Sequence, residues 1–266
     1  MRGAIRIERQ GALTLATLSH PGKFNAMTRD MWRELRRVFE EIQRDADLRC
    51  VLVRGEGGQF CAGGDISEYP EFRFTEAGLR DFHENDVWGG LRAMLDCDVP
   101  IVAQIEGNCM GAGVEIACCC DIRVADESAQ FGAPIARLGF PMAPREAALV
   151  MRETGALLAR EMLLEAAVFS ATQMQSRGFL SRVMPDGQSA REASATAARI
   201  AALAPQAARL NKQTIRALNQ SETIECIVES ATIPTENLAG YAYAYANSVE
   251  HREGIEAFLG KRKANF

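Results

Sequence analysis

No stretch of the chain approaches the roughly 18 uninterrupted apolar residues that a bilayer-spanning helix needs, so no membrane partner is expected. The opening run Met1-Arg2-Gly3-Ala4-Ile5-Arg6 lacks the continuous apolar core of a secretory signal, and the expected location is cytoplasmic. Positive charge is not in excess. Thirty Lys and Arg against 35 Asp and Glu leave a formal charge of −5, which disfavours non-specific nucleic-acid binding. The best basic cluster is Lys261-Arg262-Lys263. Paired cysteine motifs are missing too. None of the eight cysteines forms a C-x-x-C pair, and adjacent Cys118, Cys119 and Cys120 cannot supply tetrahedral geometry alone, so no metal is expected. They read as buried, reduced thiols that pack as small hydrophobes, with a nucleophilic role as the competing reading. Histidine is scarce: of three, only His83 stands away from a terminus or a proline turn.

What is present is an ordinary globular composition, 47% hydrophobic and 24% charged over 266 residues. That length suits one large α/β domain or a core with a small appendage. Residues 5–9 and 13–18 alternate as two strands joined at Gly11, a hairpin pattern. Thr28 caps a helix carried by Met31, Leu35, Val38, Phe39 and Ile42. Short apolar runs at 50–53, 101–105 and 122–125 read as buried strands, and 179–183 as a late one. A single helix is expected over 76–95, and another opens near Gly111. Strand, Gly turn and helix thus recur as stacked ββα-like units in a layered α/β core. From Pro144 the pattern is mostly helical, at 147–151, 157–164, 190–203, 205–218, 222–233 and 249–259, with Pro234 ending one of these helices. A soft boundary near 190 divides a core (1–189) from a helical region (190–266) that packs on the core or on a neighbouring subunit.

Two Gly-rich turns follow buried strands: Phe60-Cys61-Ala62-Gly63-Gly64-Asp65-Ile66, and Gly107-Asn108-Cys109-Met110-Gly111-Ala112-Gly113-Val114-Glu115. Small residues let a ligand approach the backbone, and a helix opening at such a turn directs free N–H groups outward. Two turns in one domain can offer a pair of donors to one oxygen, the geometry of an oxyanion hole. A dinucleotide fingerprint fails because Ile116 stands where its third glycine belongs, and no Gly-Lys-Ser/Thr follows either turn, which excludes a P-loop. Glu115 has two readings of equal weight, a carboxylate facing the oxygen site or a partner of the helix dipole. Burial raises its pKa and the dipole lowers it, so its protonation stays open.

Both turns, with Pro21-Gly22-Lys23-Phe24-Asn25-Ala26-Met27, Pro100-Ile101-Val102-Ala103, Ala129-Gln130-Phe131-Gly132 and the closing run from Glu253 to Phe266, occur in an order that resembles the enoyl-CoA hydratase/isomerase, or crotonase, superfamily. The likeness covers nearly the whole chain. It implies a ββα spiral core with a helical C-terminal region involved in trimerisation, as a homotrimer or dimer of trimers. It implies an acyl-CoA substrate, with coenzyme A entering as part of that substrate and no separate cofactor. The amides of Ala62 and Ala112 would hold the thioester oxygen. Coenzyme A contacts would fall at Lys23, Phe24, Ala26, Ala62, Gly63, Gly64, Asp65 and Ile66, with Phe258 and Lys261 near the nucleotide part.

One departure narrows the reaction. Hydratases of this superfamily use two glutamates flanking a water. Glu115 matches the first, but Ile135 stands at the second and cannot carry a proton. Arg137 stays charged and reads more readily as a surface arginine. Tyr69, His83, Glu84 and Asp86 fall in a segment that lines the acyl pocket in the superfamily, although His83 also reads as a partly buried helix residue. Trp88 and Phe82 read as pocket wall or core. A lyase of hydratase type with Glu115 as base leads. The alternatives are an isomerase, decarboxylase or hydrolase with one carboxylate, and a non-catalytic acyl-CoA binding protein.

Overall fold

The computed structural model describes residues 2–220 and 244–264. The expected helix at 222–233, the break at Pro234 and Cys226 lie outside the described residues. The hairpin forms as β1 (Ala4–Gln10) and β2 (Leu13–Ser19), antiparallel and in register from Ala4 opposite Ser19 to Gln10 opposite Leu13. β3 (Cys50–Gly55), β4 (Ile101–Ile105), β6 (Ile122–Asp126) and β9 (Arg182–Met184) extend the sheet in the order β1-β2-β3-β4-β6-β9, each new pairing parallel. A second sheet of three short strands, β5 (Asn108–Met110), β7 (Gln130–Gly132) and β8 (Val168–Ser170), stands beside it.

The central strands β3 and β4 are buried on both faces, which is why they read as continuous apolar runs. Ala16, Leu18, Val51, Val53, Ile101 and Ala103 face the main core. Leu15, Cys50, Leu52, Val102 and Val124 face the other side, where Ala193 and Ala197 of α8 (Ser189–Ala201) cover them. The first helix past residue 190 is therefore laid on the sheet. On the main-core side, α1 (Arg29–Arg44) starts at Thr28, whose hydroxyl accepts from the Met31 amide at 3.1 Å, and buries Met31, Trp32, Leu35, Val38, Phe39 and Ile42.

The single helix expected over 76–95 is corrected. It is α2 (Glu76–Asp81), a π-helical turn (Phe82–Val87) and α3 (Trp88–Asp96). The wide turn is held from two sides. Asp86, buried, accepts from Arg29 Nε at 2.6 Å and Arg33 Nε at 2.7 Å on α1. His83 Nδ1 lies 2.9 Å from Glu146 Oε1 on α5 (Pro144–Thr154). A regular helix would aim those side chains differently, and such one-turn insertions recur at functional sites. Asp86 thus has a structural task in fixing this turn.

α4 (Ala112–Cys118) runs between β5 and β6, and α5 packs on it. α6 (Ala156–Leu164), α7 (Ala171–Ser176) and α9 (Pro205–Gln220) follow α5 around the core. α10 (Val249–Leu259) packs on the 3₁₀ turns at 66–71 and 135–138, beside the Gly-rich turns. No helix among the described residues is long and apolar enough to cross a membrane.

Candidate active site

The two Gly-rich turns meet through their backbones. Cys61 pairs with Cys109 in a parallel bridge, its N–H donating to Asn108 O and its carbonyl accepting from Met110 N–H, both at 2.8 Å. Gly113 is required at this joint, because a methyl there would lie 2.6 Å from the Cys61 carbonyl oxygen. Gly111 takes a φ of 47°, which opens α4 so that the Ala112 amide leads the helix.

The pairing with the loop at 24–27 decides which amides face outward. The Met27 N–H donates to Gly63 O and the Asp65 N–H to Met27 O, both at 2.8 Å. In a parallel ladder the residue between those two bonds, Gly64, turns its N–H away from Met27. The expectation for Ala62 is corrected here, since its N–H donates to the Phe24 carbonyl at 3.0 Å and is already engaged. Among the described residues, the N–H groups of Gly64 and Ala112 have no protein acceptor. Tyr69 stands against this turn, so close that a methyl on Gly64 would overlap its hydroxyl.

Glu115 follows Ala112 by one helical turn and is buried. Burial pushes its carboxyl up to about 8, and the nearby Glu146 carboxylate adds to the rise. Glu146 was not among the sequence candidates. It too is buried and pushed up to about 8 by burial, with Glu84 contributing. It begins a chain of polar contacts: Glu146 Oε1 to His83 Nδ1 at 2.9 Å, His83 Nε2 to Arg73 Nη1 at 3.3 Å, and Arg73 Nε donating to His251 Nε2 at 3.5 Å.

Arg73 is only 1% exposed. Its guanidinium carbon lies 4.1 Å from the centre of the Phe140 ring and 4.4 Å from that of Tyr69. A guanidinium can only donate, so both histidines must accept at Nε2. His83 then carries its proton on Nδ1 and donates to Glu146, and His251 Nδ1 donates to Ala246 O at 3.0 Å. Burial, followed by the charge of Arg73, depresses His83 well below the usual histidine range, and burial takes His251 to about 4, so both rings are neutral.

The remaining expected residues fall into separate places. Lys23 Nζ bonds both oxygens of the buried Asp65, at 2.9 and 2.7 Å, and Ser67 Oγ at 2.6 Å. Burial raises the Asp65 carboxyl, but Lys23 and Ser67 together outweigh it and hold it below the usual value. Phe24 is 61% exposed at a φ of 47°, in a loop stapled by Asn25, whose side-chain amide reaches Glu56 O and Gln59 O. Ala26 is buried and Ile66 packs on the core, while Phe258 and Lys261 are exposed at the end of α10.

Ile135 is half-buried against the main core. Arg137 is corrected as a pocket residue: it is exposed, and its guanidinium donates to Ala166 O at 2.9 Å. Trp88 opens instead onto a cavity of about 390 Å³ at the far end of α4, lined by Cys118 to Cys120 and α9. The seven described cysteines are buried and unpaired. Burial pushes the Cys61 thiol up to about 12, which argues against a thiolate nucleophile. No cluster suited to a metal ion occurs among the described residues.

Comparison with known proteins gives the family. The family model for enoyl-CoA hydratase/isomerase matches residues 8–266. The 2,3-dehydroadipyl-CoA hydratase of Escherichia coli is 31% identical over 98% of this chain and 97% of its own. The crystal structure of an enoyl-CoA hydratase/carnithine racemase from Magnetospirillum magneticum superposes with a TM-score of 0.79 at 34% identity, covering 98% of this chain and 94% of that one. A methylmalonyl-CoA decarboxylase shares the fold at a TM-score of 0.85 and 23% identity, over 98% of this chain and 97% of its own. With a family model spanning nearly all of its length and relatives above 30% identity end to end, this chain belongs to the enoyl-CoA hydratase/isomerase family.

Proposed function

We propose that the protein acts on an acyl-CoA thioester, holding the thioester oxygen between the N–H groups of Gly64 and Ala112 while Glu115 moves the proton. The observation that carries this reading is the pair of unengaged amides on two joined turns, one helical turn from a buried carboxyl. As negative charge develops on the oxygen, fixed donors in a water-poor site lower the barrier at Cα and Cβ, each by about 3–4 kcal/mol.

The reaction we assign is hydration of a 2-enoyl-CoA. In its ionised form Glu115 accepts a proton from water, the hydroxyl adds at Cβ, and the enolate is held at the two amides until Cα is protonated. Lys23 and Asp65 brace the loop beside the thioester. The exposed rings of Phe24 and Phe258, with Lys261, offer surface to the nucleotide part of coenzyme A. α9 leaves Leu210, Ile215 and Leu218 exposed among the described residues, which fits docking onto further copies as a trimer.

Loss of the enone absorbance of crotonyl-CoA tests the assignment. Wild type should remove it, and Glu115→Gln should slow the loss by about 100-fold or more. Equal rates would refute Glu115 as base. Because Ile135 cannot carry a proton, a single-carboxylate reaction such as isomerisation or decarboxylation is the second reading. It predicts turnover of 3-enoyl or malonyl-type thioesters in place of crotonyl-CoA.

A further inference from the structure

An acyl chain leaving the Gly64 and Ala112 amides needs space, and the side chains around the turn decide how much there is. On one side α4 is buried along its whole length, from Ala112 to Cys118, which closes that side. On the other, Tyr69 ends the 3₁₀ turn at 66–71 folded back onto Gly64. A methyl built on Gly64 would lie 2.1 Å from the Tyr69 hydroxyl oxygen and 3.1 Å from the ring carbon that bears it. The hydroxyl end of the side chain, rather than the face of its ring, therefore touches the turn. The ring behind it cannot swing aside. It is 6% exposed, and Phe72, Phe82 and Phe140 stand edge-on to it with centroids 5.9, 5.9 and 6.0 Å away. The Arg73 guanidinium lies over it at 4.4 Å and over Phe140 at 4.1 Å, and Arg73 Nε donates to His251 on α10 at 3.5 Å. A continuous stack thus runs from the Gly-rich turn to the C-terminal helix, through Gly64, Tyr69, Arg73 and His251. Arg73 and His251 are fully buried, so moving Tyr69 outward would push a cation off two aromatic faces and away from its histidine. The charge of Arg73 also reaches Glu115, so the stack and that carboxyl are neighbours.

We propose that Tyr69, held in place by Arg73, is the end wall of the acyl site and restricts the substrate to short-chain acyl-CoA thioesters, of about crotonyl size. This rests on the acyl-CoA reading of the site. A chain that reaches the wall gains no further contact, because each added methylene must displace a packed ring, and a close-packed interior accepts such an insertion only with strain. Tyr69 meets the end of the chain rather than the reacting atoms. It is a specificity-determining residue, and Arg73 acts through it.

The experiment is a chain-length series on the full-length protein. Hydration of trans-2-enoyl thioesters from crotonyl- to decenoyl-CoA is followed by loss of enone absorbance, and affinity for the saturated thioesters from butyryl- to decanoyl-CoA by calorimetry. In an open apolar pocket each buried methylene would raise affinity by about fourfold. Against a wall that trend reverses, and kcat/KM should fall by about tenfold or more between crotonyl- and octenoyl-CoA. Values that hold level or rise with length in wild type, which needs no variant to fold, overturn the proposal. Tyr69→Ala should move the optimum to longer chains, and Tyr69→Leu, which keeps an apolar group under Arg73, should move it by less. A merely loosened fold lowers the whole series together and does not reorder it. An unchanged ranking in whichever variant folds overturns the proposal. Binding that follows the expected ranking without hydration of any thioester would remove the assigned reaction and leave the wall standing. Binding of no thioester at any length would remove the acyl-CoA reading and the wall with it.

Discussion

Gly113→Ala sets two physical effects against each other at the joint between the turns. Gly113 lies within α4, where alanine is favoured over glycine by about 1 kcal/mol. On propensity alone the variant should be more stable. The added methyl, however, would stand 2.6 Å from the Cys61 carbonyl oxygen and 3.1 Å from Cys61 Cβ. The first of these is backbone, and it already accepts from the Met110 amide at 2.8 Å, so it cannot swing aside as a side chain would. Forcing a methyl into such a contact costs about 1–3 kcal/mol, which outweighs the propensity gain. The chain relaxes by separating the turns, and that separation moves the Ala112 amide relative to that of Gly64. A misplacement of about 1 Å at a catalytic centre costs roughly 100-fold in rate. Urea denaturation should therefore show a loss of stability of about 1 kcal/mol, and the crotonyl-CoA assay a fall in kcat of about 100-fold with a smaller change in KM. A variant with wild-type kcat and raised stability would refute the claim that this contact fixes the spacing of the two donors.

Three further outcomes follow from the same structure. The carboxyls of Glu115 and Glu146 rise from 4.5 to about 8 on folding, so between those pH values the folded state binds more protons than the unfolded one. Their contribution is intact below pH 4.5 and is lost as pH rises through about 8. Urea titrations at several pH values should accordingly show Glu146→Gln gaining on wild type, by up to a few kcal/mol, as pH rises from 5 to 8.5; a flat or falling difference would contradict it. Arg73→Met should cost about 3–5 kcal/mol by thermal or urea melts, because it removes a buried guanidinium that donates to two histidines and whose charge offsets the burial of Glu115 and Glu146. Thr28→Ala should cost about 1 kcal/mol by removing the cap of α1, with no change in kcat, as stability and rate measurements on one preparation would show.

The sheet and most helices were legible because burial imposes period and length. β3 reads as an unbroken apolar run because both of its faces are covered, and α1 shows its stripe because only one face is. The proposed pair of amides differs by two residues from the pair the sequence suggests, and the difference has a cause. Ala62, Gly63 and Gly64 are all small, and nothing local tells which amide is engaged. The loop at 24–27 decides, and that pairing joins residues almost forty positions apart. Glu146 was hidden for a different reason. In sequence it follows Pro144 and Arg145 in the first turn of a helix, where a glutamate is at home beside the dipole. Only the docking of α5 on α4 buries it. Arg73 gave no signal, since a guanidinium enclosed by Phe140 and Tyr69 has no sequence signature.

The two halves of the site answer to different constraints. In the proposed site the oxygen-holding half is made of backbone, so what it demands of the sequence is small residues: glycine at 64 and 113, a left-handed glycine at 111 and a loop able to pair with Met27. The proposed proton-moving half is made of side chains, and Glu115 and Glu146 are both buried, on packed helices. Ile135 lies half-buried on the core, where an apolar side chain stabilises by contact and a lone carboxyl would have to be desolvated. Glu146 meets that cost differently, since His83 donates to it and Arg73 stands behind His83. On the acyl-CoA reading, a glutamate placed at 135 would face Glu115 across the proposed site, which already holds the buried Glu146 carboxyl on a packed helix. Ile135→Glu alone should therefore lower stability with little gain in hydration, whereas Ile135→Glu with Glu146→Gln should recover much of that loss, a non-additivity that a double-mutant cycle in urea would measure. Additive effects would mean that the two positions do not draw on the charge of Arg73 in common.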